Sequence, residues 1–483
     1  MLTISAAEIY DSLAVENPWW VNGATDRISR LPERAYLRAF RALVEQTEVV
    51  RSVILLGPRR VGKTVMVQQA IQYLLKGGVD GRRILYLSLD RPLYNGMTLE
   101  GVVRLHLERT KPGAGRLFFF FDEIQYVRDW ERELKSLTDL YPEFRFVASG
   151  SAAAALRAKS LESGAGRFTD FLLPPLTFDE FIRFQTEENE AIRRLRQFAD
   201  DGFAEPASLE ELDIAQLNIL FERYVTYGGY PEAVLSGTVQ KNLDRFVRED
   251  IVEKVLLRDL PSLYGIQDTR ELNSLFTTLC YNTAQEVSLE GLSRSGAISK
   301  NTIKRYLEYL EAAFLIRPVA RIDQTARTFQ RQTTFKVYLT NPSLRAALFR
   351  PLSQDDDDFG ALAETAVFSQ WFHEPSGAPL YYARWDRGEI DMVKLEGFRP
   401  DWFTEIKWTD RHLARPQELV AVAEFIARHR ETLAQCLVTS RTKFGSVRLG
   451  GREVEIIPAA VYCWQVGRNT VSSRIEDQGE LPL

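Results

Sequence analysis

Between about residues 50 and 175 the chain alternates short apolar runs with longer stretches whose apolar residues recur every three or four positions. The runs are SVILLG, RILYLSL, RLFFFFD and FRFVASG. Segments this apolar have no polar side to turn toward water. They read as strands covered on both faces, and the periodic stretches between them as the crossover helices of a parallel sheet. Ahead of this block, residues 1–48 read as a helical leader with NPWW at 17–20, tryptophans of the kind that dock a leader onto a core. Behind it, Pro174 and Pro175 interrupt the pattern. Residues 176–261 are mostly helical, broken by YGGYPEAVL. Residues 262–354 give helices and then a strand pair, LIRPVARID and FKVYLT. The acidic run Asp355 to Asp358 marks a further boundary. Residues 355–470 again mix helix and strand, and 471–483 form a polar tail.

The first apolar run leads directly into Gly57-Pro58-Arg59-Arg60-Val61-Gly62-Lys63-Thr64, and an amphipathic helical stretch follows. This satisfies the P-loop pattern at every fixed position, in the strand–loop–helix context it needs. Glycines let backbone N–H groups curl around phosphate oxygens, and the helix N-terminus adds its positive dipole end. Lys63 is placed to reach the β and γ phosphates, and Thr64 to ligate Mg²⁺ through its hydroxyl. The run RLFFFFDEIQ ends in Asp122 and Glu123. A buried strand ending in two acids presents them at the carboxyl edge of the sheet, where ligands bind. Asp122 is expected to hold Mg²⁺, and Glu123 to orient and deprotonate the attacking water. Ser149 and Ser151, closing the next strand, are candidates for contact with the γ-phosphate or that water. Arg167 is a candidate charge stabiliser, acting within the chain or across an interface between copies of it. The expected cofactors are ATP and Mg²⁺.

These motifs resemble the prokaryotic AAA-type ATPases related to the archaeal ATPase group, a family whose C-terminal part has no assigned function. The matching pieces are GPRRVGKT, FDEIQYVRDWE, ASGS, GRFTDFLLPPLTFDEF, GGYPEAVL, TIKRYLEYLEAAFLI, ALAETAV, GEIDMV and EIKW, in family order over roughly residues 17 to 420. The resemblance implies an ATPase core (49–175), a helical lid (176–261), a winged-helix segment (262–354) and a nuclease-like C-terminal fold (355–470). The expected fold class is therefore α/β throughout.

Within 287–319 a second pattern stands out. Leu289 and Leu292 mark one helix and Gly296 a turn. Ser299 can cap a second helix on which Ile303, Leu307 and Leu310 recur at helical spacing. This is helix-turn-helix grammar. Lys300, Asn301, Lys304 and Arg305 fall on the first turns of the second helix, where such a motif meets a DNA groove. From 291 to 340 there are nine basic residues, Lys336 among them, against three acids. A local excess of this size favours a phosphate backbone, although winged helices also serve as spacers between domains.

That excess matters because the whole chain is acidic, with a formal net charge of −5 over 483 residues. The balance excludes a uniformly basic nucleic-acid coat. The length asks for two to four domains. Three cysteines, Cys280, Cys436 and Cys463, show neither paired nor metal-type spacing, which points to a reducing cytoplasm. No apolar run approaches the roughly 20 residues of a membrane span, and the start lacks a signal-peptide pattern.

The stretch RWDRGEIDMVKLEGFRPDWFTEIKWTD reads as two strands joined by a turn. Residues two apart share a strand face, so Glu405 and Lys407 point the same way. A hairpin about EGFRP brings Asp391 beside Glu405. Upstream, Glu364 lies on an apolar helical stripe with Phe368 and Trp371. Three acids converging near a core repel one another and cost several kcal/mol each to bury. A shared Mg²⁺ or Mn²⁺ held by Glu364, Asp391 and Glu405 would relieve both problems, with Lys407 beside it to position water. The order helix-Glu, strand-Asp, strand-Glu-x-Lys resembles the PD-(D/E)XK nuclease fold, which implies phosphodiester chemistry. The expectation is a cytoplasmic Mg²⁺-dependent ATPase that engages DNA. The alternative is an ATP-switched signalling or scaffold protein whose nuclease-like part is catalytically silent.

Overall fold

The computed structural model describes residues 5–21, 28, 30–150, 166–185, 190–203, 209–329, 333–373 and 379–479. The chain divides into two compact units, Met1–Pro174 with Ile475–Leu483, and Pro175–Arg474.

In the first unit, β1 (Ser52–Leu56), β2 (Ile84–Ser88), β3 (Phe118–Asp122), β4 (Arg145–Gly150) and β5 (Phe168–Leu172) form one sheet in the order β2-β3-β4-β1-β5. Every pairing is parallel. Each crossover from β1 to β4 carries a helix: α1 (Lys63–Lys76), α2 (Leu99–Thr110) and α3 (Trp130–Leu140). All residues of β1 and β3 are buried, as strands covered on both faces must be. Phe119 and Phe121 stack against Phe146 of the neighbouring strand, with the Phe119 and Phe146 ring centroids 5.3 Å apart.

Because β2 lies at the sheet's edge, its outer backbone groups need cover. The leader supplies it. The Asn17 amide donates to the Tyr86 carbonyl (2.8 Å) and to Leu13 (2.7 Å), and its oxygen accepts the Tyr86 N–H (2.6 Å). The indoles of Trp19 and Trp20 both donate to the Ile84 carbonyl, at 3.2 and 2.8 Å. One asparagine thus imitates a strand partner where the leader has no strand of its own.

The second unit is built on a nine-stranded sheet. Its strands are β6 (Glu286–Ser288), β7 (Ile316–Ile322), β8 (Thr334–Leu339), β9 (Leu380–Trp385), β10 (Gly388–Glu396), β11 (Arg399–Glu405), β12 (Gln435–Ser440), β13 (Gly445–Leu449) and β14 (Arg452–Pro458). Their order is β13-β14-β12-β11-β10-β9-β7-β8-β6. Parallel pairing of β7 with β9, Ala320 opposite Tyr381, carries the sheet unbroken past the acidic run at 355–358. The segments distinguished by sequence as winged helix and nuclease-like therefore share one sheet, because the outer edge of β7 takes a partner from beyond that run. Helix α4 (Phe359–Gln370) packs its buried Phe359, Leu362, Ala366 and Val367 into a core that also holds Met392, Leu437 and Trp464.

Helices α5 (Leu289–Gly296) and α6 (Lys300–Ala312) form the helix-turn-helix. Ser299 caps α6 by accepting the Thr302 N–H at 3.1 Å. The left-handed residue of the turn is Ala297 (φ 54°), while Gly296 closes the helix before it. Among the described residues no helix is long and apolar enough to cross a membrane.

Candidate functional site

In the first unit the loop from Gly57 to Gly62 connects β1 to α1 at the carboxyl edge of the sheet. Arg60 and Gly62 both take left-handed backbone, φ 65° and 96°, which curls the loop over the start of α1. A Cβ on Gly57 would run into the Leu173 carbonyl oxygen, so this position admits only glycine. Pro58 and Val61 are buried, Arg59 is half-buried and Arg60 is exposed. The buried Lys63 ammonium donates to the loop's own carbonyls, Gly57 at 3.0 Å and Pro58 at 2.7 Å. These bonds hold it across the mouth of the loop.

Thr64 donates its hydroxyl to Asp122 Oδ2 at 2.7 Å, so residues 58 apart in sequence meet at the strand ends. The same oxygen accepts the Tyr86 hydroxyl at 3.0 Å. Burial, and next the Asp122 charge, raise the Tyr86 pKa far above its ordinary value and keep it a donor. Ser149 is buried and gives its hydroxyl to Asp122 Oδ1, so it orients the acid rather than facing the loop. Ser151 lies outside the described residues. Glu123 is half-buried in left-handed backbone, φ 55°, beside Gln125, whose amide donates to it. Non-glycine residues persist in that conformation where surrounding structure enforces it, often at active sites. Arg167 pairs with Asp139 on α3, which ties it to the sheet's flank.

Two participants were not singled out from sequence. Tyr86 is one. Arg34 is the other: it is buried, and its guanidinium donates to Val61 O of the loop (2.8 Å) and to Pro174 O (3.0 Å). A leader arginine thereby braces the phosphate loop. Neither residue sits in a recognisable motif, and only the fold brings them to the loop.

Thr64 and Asp122 supply hard oxygen ligands in hydrogen-bonding contact, and the loop presents backbone N–H groups and a lysine at a helix N-terminus. That donor set fits a Mg²⁺-bound nucleoside triphosphate.

In the second unit, Asp391 sits where the pairing of β10 with β9 slips between Ile390 and Val393. Bulges of this kind re-aim side chains. The freed Asp391 N–H donates to Glu405 Oε2 at 3.2 Å, and Asp391 Oδ2 accepts the Ile406 N–H at 2.9 Å. Lys407 Nζ lies 2.6 Å from Glu405 Oε1 and 4.0 Å from Asp391 Oδ2. Asp391, Glu405 and Lys407 therefore meet at the hairpin. Glu364 of α4 joins them through a residue counted in sequence as part of a local basic excess. Lys336 of β8 places its ammonium 2.9 Å from Glu364, 2.6 Å from Glu389 and 3.2 Å from Asp391. Tyr338, two residues on, donates to Glu364 Oε1 at 2.6 Å and stacks on Phe368, ring centroids 4.0 Å apart.

Burial, reinforced by the Asp391 charge, raises the Glu364 carboxyl to about 7 and the Glu405 carboxyl to about 8. Burial also pushes Asp391 upward. Lys336, Lys407 and the Ile406 N–H together outweigh it, and Asp391 stays below the ordinary range. These acids do not fit the shared divalent ion expected of Glu364, Asp391 and Glu405. All four oxygens of Asp391 and Glu405 already accept donors. The Lys336 ammonium bridges Asp391 and Glu364. Among the described residues no group of three or more His, Cys, Asp or Glu could hold a metal ion.

The exposed face of α6 carries Lys300, Asn301, Lys304 and Arg305. Its charge is smaller than the sequence count implied. Glu290, just outside the counted window, pairs with Arg294 (3.2 Å) and Lys300 (3.8 Å). Arg317 pairs with Glu311, and Lys336 is buried.

A family model described as an AAA domain matches residues 50–182. Residues 50–182 are thus similar to AAA domains. A second family model, a domain of unknown function (DUF8612), matches residues 218–356. An uncharacterized protein of Haemophilus influenzae is 24% identical over 346 residues, 70% of this chain and 78% of that protein. An uncharacterized protein of Methanocaldococcus jannaschii, MJ1637, is 24% identical over 395 residues, 77% of this chain and 80% of that protein. Among solved structures, AMPPCP-bound DnaA from Aquifex aeolicus aligns with a TM-score of 0.26 and 16% identity, covering 59% of this chain and 90% of that one.

Proposed function

We propose that this protein is a Mg²⁺-dependent ATPase of the AAA type, whose nucleotide state governs how its second unit engages DNA. The observation that carries the reading is the Thr64–Asp122 hydrogen bond of 2.7 Å beneath the phosphate loop. It joins the two halves of a nucleotide site that sequence places far apart. Thr64 and Asp122 would hold Mg²⁺, which when bound neutralises charge on the phosphates. Lys63 would exchange the Gly57 and Pro58 carbonyls for phosphate oxygens. Glu123 would orient a water molecule and take its proton. Ser149 and Tyr86 keep Asp122 aimed. Purified full-length protein should turn over ATP with Mg²⁺, and Lys63→Ala should reduce turnover to background. Turnover that survives this substitution would remove the site assignment.

DNA engagement rests on Lys304 and Arg305, exposed on the first turns of α6 and holding no ion pair among the described residues. No cutting step belongs to this reading, because Lys336 and Lys407 occupy the cluster of Glu364, Asp391 and Glu405. A second reading keeps the ATPase and replaces DNA with protein partners. It draws on the Glu290 and Glu311 ion pairs that lower the basic charge near α6. Salt-sensitive binding of duplex DNA separates the two.

A further inference from the structure

We infer that the Lys336 ammonium is the resident cation of the acid cluster in the second unit, and that this closes the cluster to divalent metal ions. An ammonium has three N–H donors. Three carboxylates surround this one, those of Glu389, Glu364 and Asp391, at 2.6, 2.9 and 3.2 Å. It donates hydrogen bonds to Glu364 and Asp391 and forms an ion pair with Glu389. The Lys336 side chain is only 3% exposed. A metal ion entering between Glu364 and Asp391 would have to expel a buried charge, which would then lack its partners.

The lysine is also held in place. In a flat sheet, β8 and β10 would stand roughly 14 Å apart, three strand spacings, since β9 and β7 lie between them. That exceeds the reach of a lysine, so the sheet must curl to bring Lys336 to Asp391. Tyr338, on the same face of β8, anchors the strand to α4 through Glu364. Lys336 therefore joins three elements, β8, α4 and β10, from both sides of the 355–358 acidic run. The remaining acid, Glu405, has its own cation in Lys407 at 2.6 Å. Four carboxylates and two ammonium groups make up the cluster, and the Arg384 guanidinium, 2.8 Å from Glu389, adds a third cation at its edge.

This inference rests on the reading that the second unit does not cut DNA, and deepens it. ATP turnover by the unsubstituted chain tests the first unit separately, so either claim can fail alone. The test is a Mn²⁺ titration of the full-length chain without nucleotide, followed by the electron paramagnetic resonance of free Mn²⁺. An Asp122→Ala background removes the first unit's ion site. With Lys336 present, no Mn²⁺ should be taken up by the cluster. Lys336→Ala should bind one Mn²⁺ per chain at least about tenfold more tightly, and adding Asp391→Asn should abolish that gain. Uptake by the Lys336-containing chain that disappears on Asp391→Asn would overturn the inference. So would a folded Lys336→Ala chain that takes up none. If Lys336→Ala does not fold, the Lys336-containing chain with and without Asp391→Asn decides the matter.

Discussion

Glu364→Gln isolates one titrating group in the buried cluster, and its effect can be worked from the structure. In the folded chain, burial and then the Asp391 charge raise the Glu364 carboxyl to about 7 from an ordinary 4.5. An unfolded chain would release that proton near the ordinary value. Between those two values the folded state binds more protons than the unfolded one, so stability falls as pH rises through the window. A gap of about 2.5 pH units, at about 1.4 kcal/mol each, gives a loss on the order of 3 kcal/mol between pH 4.5 and pH 8. Glutamine never titrates, and its carbonyl can still accept from Tyr338 and Lys336. The variant should therefore gain on the wild type by about 3 kcal/mol on going from pH 4.5 to pH 8. Urea unfolding at the two pH values, followed by tryptophan emission, reads this difference. Trp371, Trp385, Trp402, Trp408 and Trp464, five of the chain's eight tryptophans, report on the second unit. A gap between variant and wild type that stays constant with pH, or moves the other way, would refute the reasoning. Glu405 is raised by the same burial and also by Asp391, so it should steepen the wild-type loss in the same direction.

Asn17→Ala deletes three buried hydrogen bonds, two to Tyr86 at the β2 edge and one to Leu13 of the leader, and should cost the first unit on the order of 2–3 kcal/mol. Limited proteolysis should then release the leader faster than from the wild type. Replacing both Lys304 and Arg305 with alanine should weaken duplex DNA binding across sequences. It should also flatten the plot of log affinity against log salt by about 1 to 2; an unchanged slope would take α6 out of the DNA contact.

The phosphate loop was legible because its parts are consecutive, and because apolar runs of this kind leave little doubt about strand ends. Thr64 and Asp122 each close a recognisable local pattern, so their meeting follows from a parallel sheet with both patterns at one edge. Arg34 and Tyr86 were not legible, since nothing local distinguishes a leader arginine or a strand tyrosine that will face the site. Lys336 is the clearest case. Its sequence neighbours, Phe335 and Val337, mark an ordinary strand, and a lysine there reads as a surface base. Its burial depends on a curl across three strand spacings and on acids contributed 28 to 55 residues later. The single sheet of the second unit was hidden for a related reason. Hydrophobic pattern locates strands but does not say which edges pair, and β7 joins β9 across a run of acids that reads as a break.

The central claim, that the first unit binds ATP and hydrolyses it through Thr64, Asp122 and Glu123, is tested most directly by measuring two quantities on the same preparations. These are equilibrium ATP binding and Mg²⁺-dependent phosphate release, for the wild type and for Glu123→Gln. Glu123→Gln should bind ATP about as tightly as the wild type while releasing phosphate at least about a hundredfold more slowly, the loss that follows from removing a positioned base. Wild-type rates of phosphate release from the Glu123→Gln chain would contradict the account.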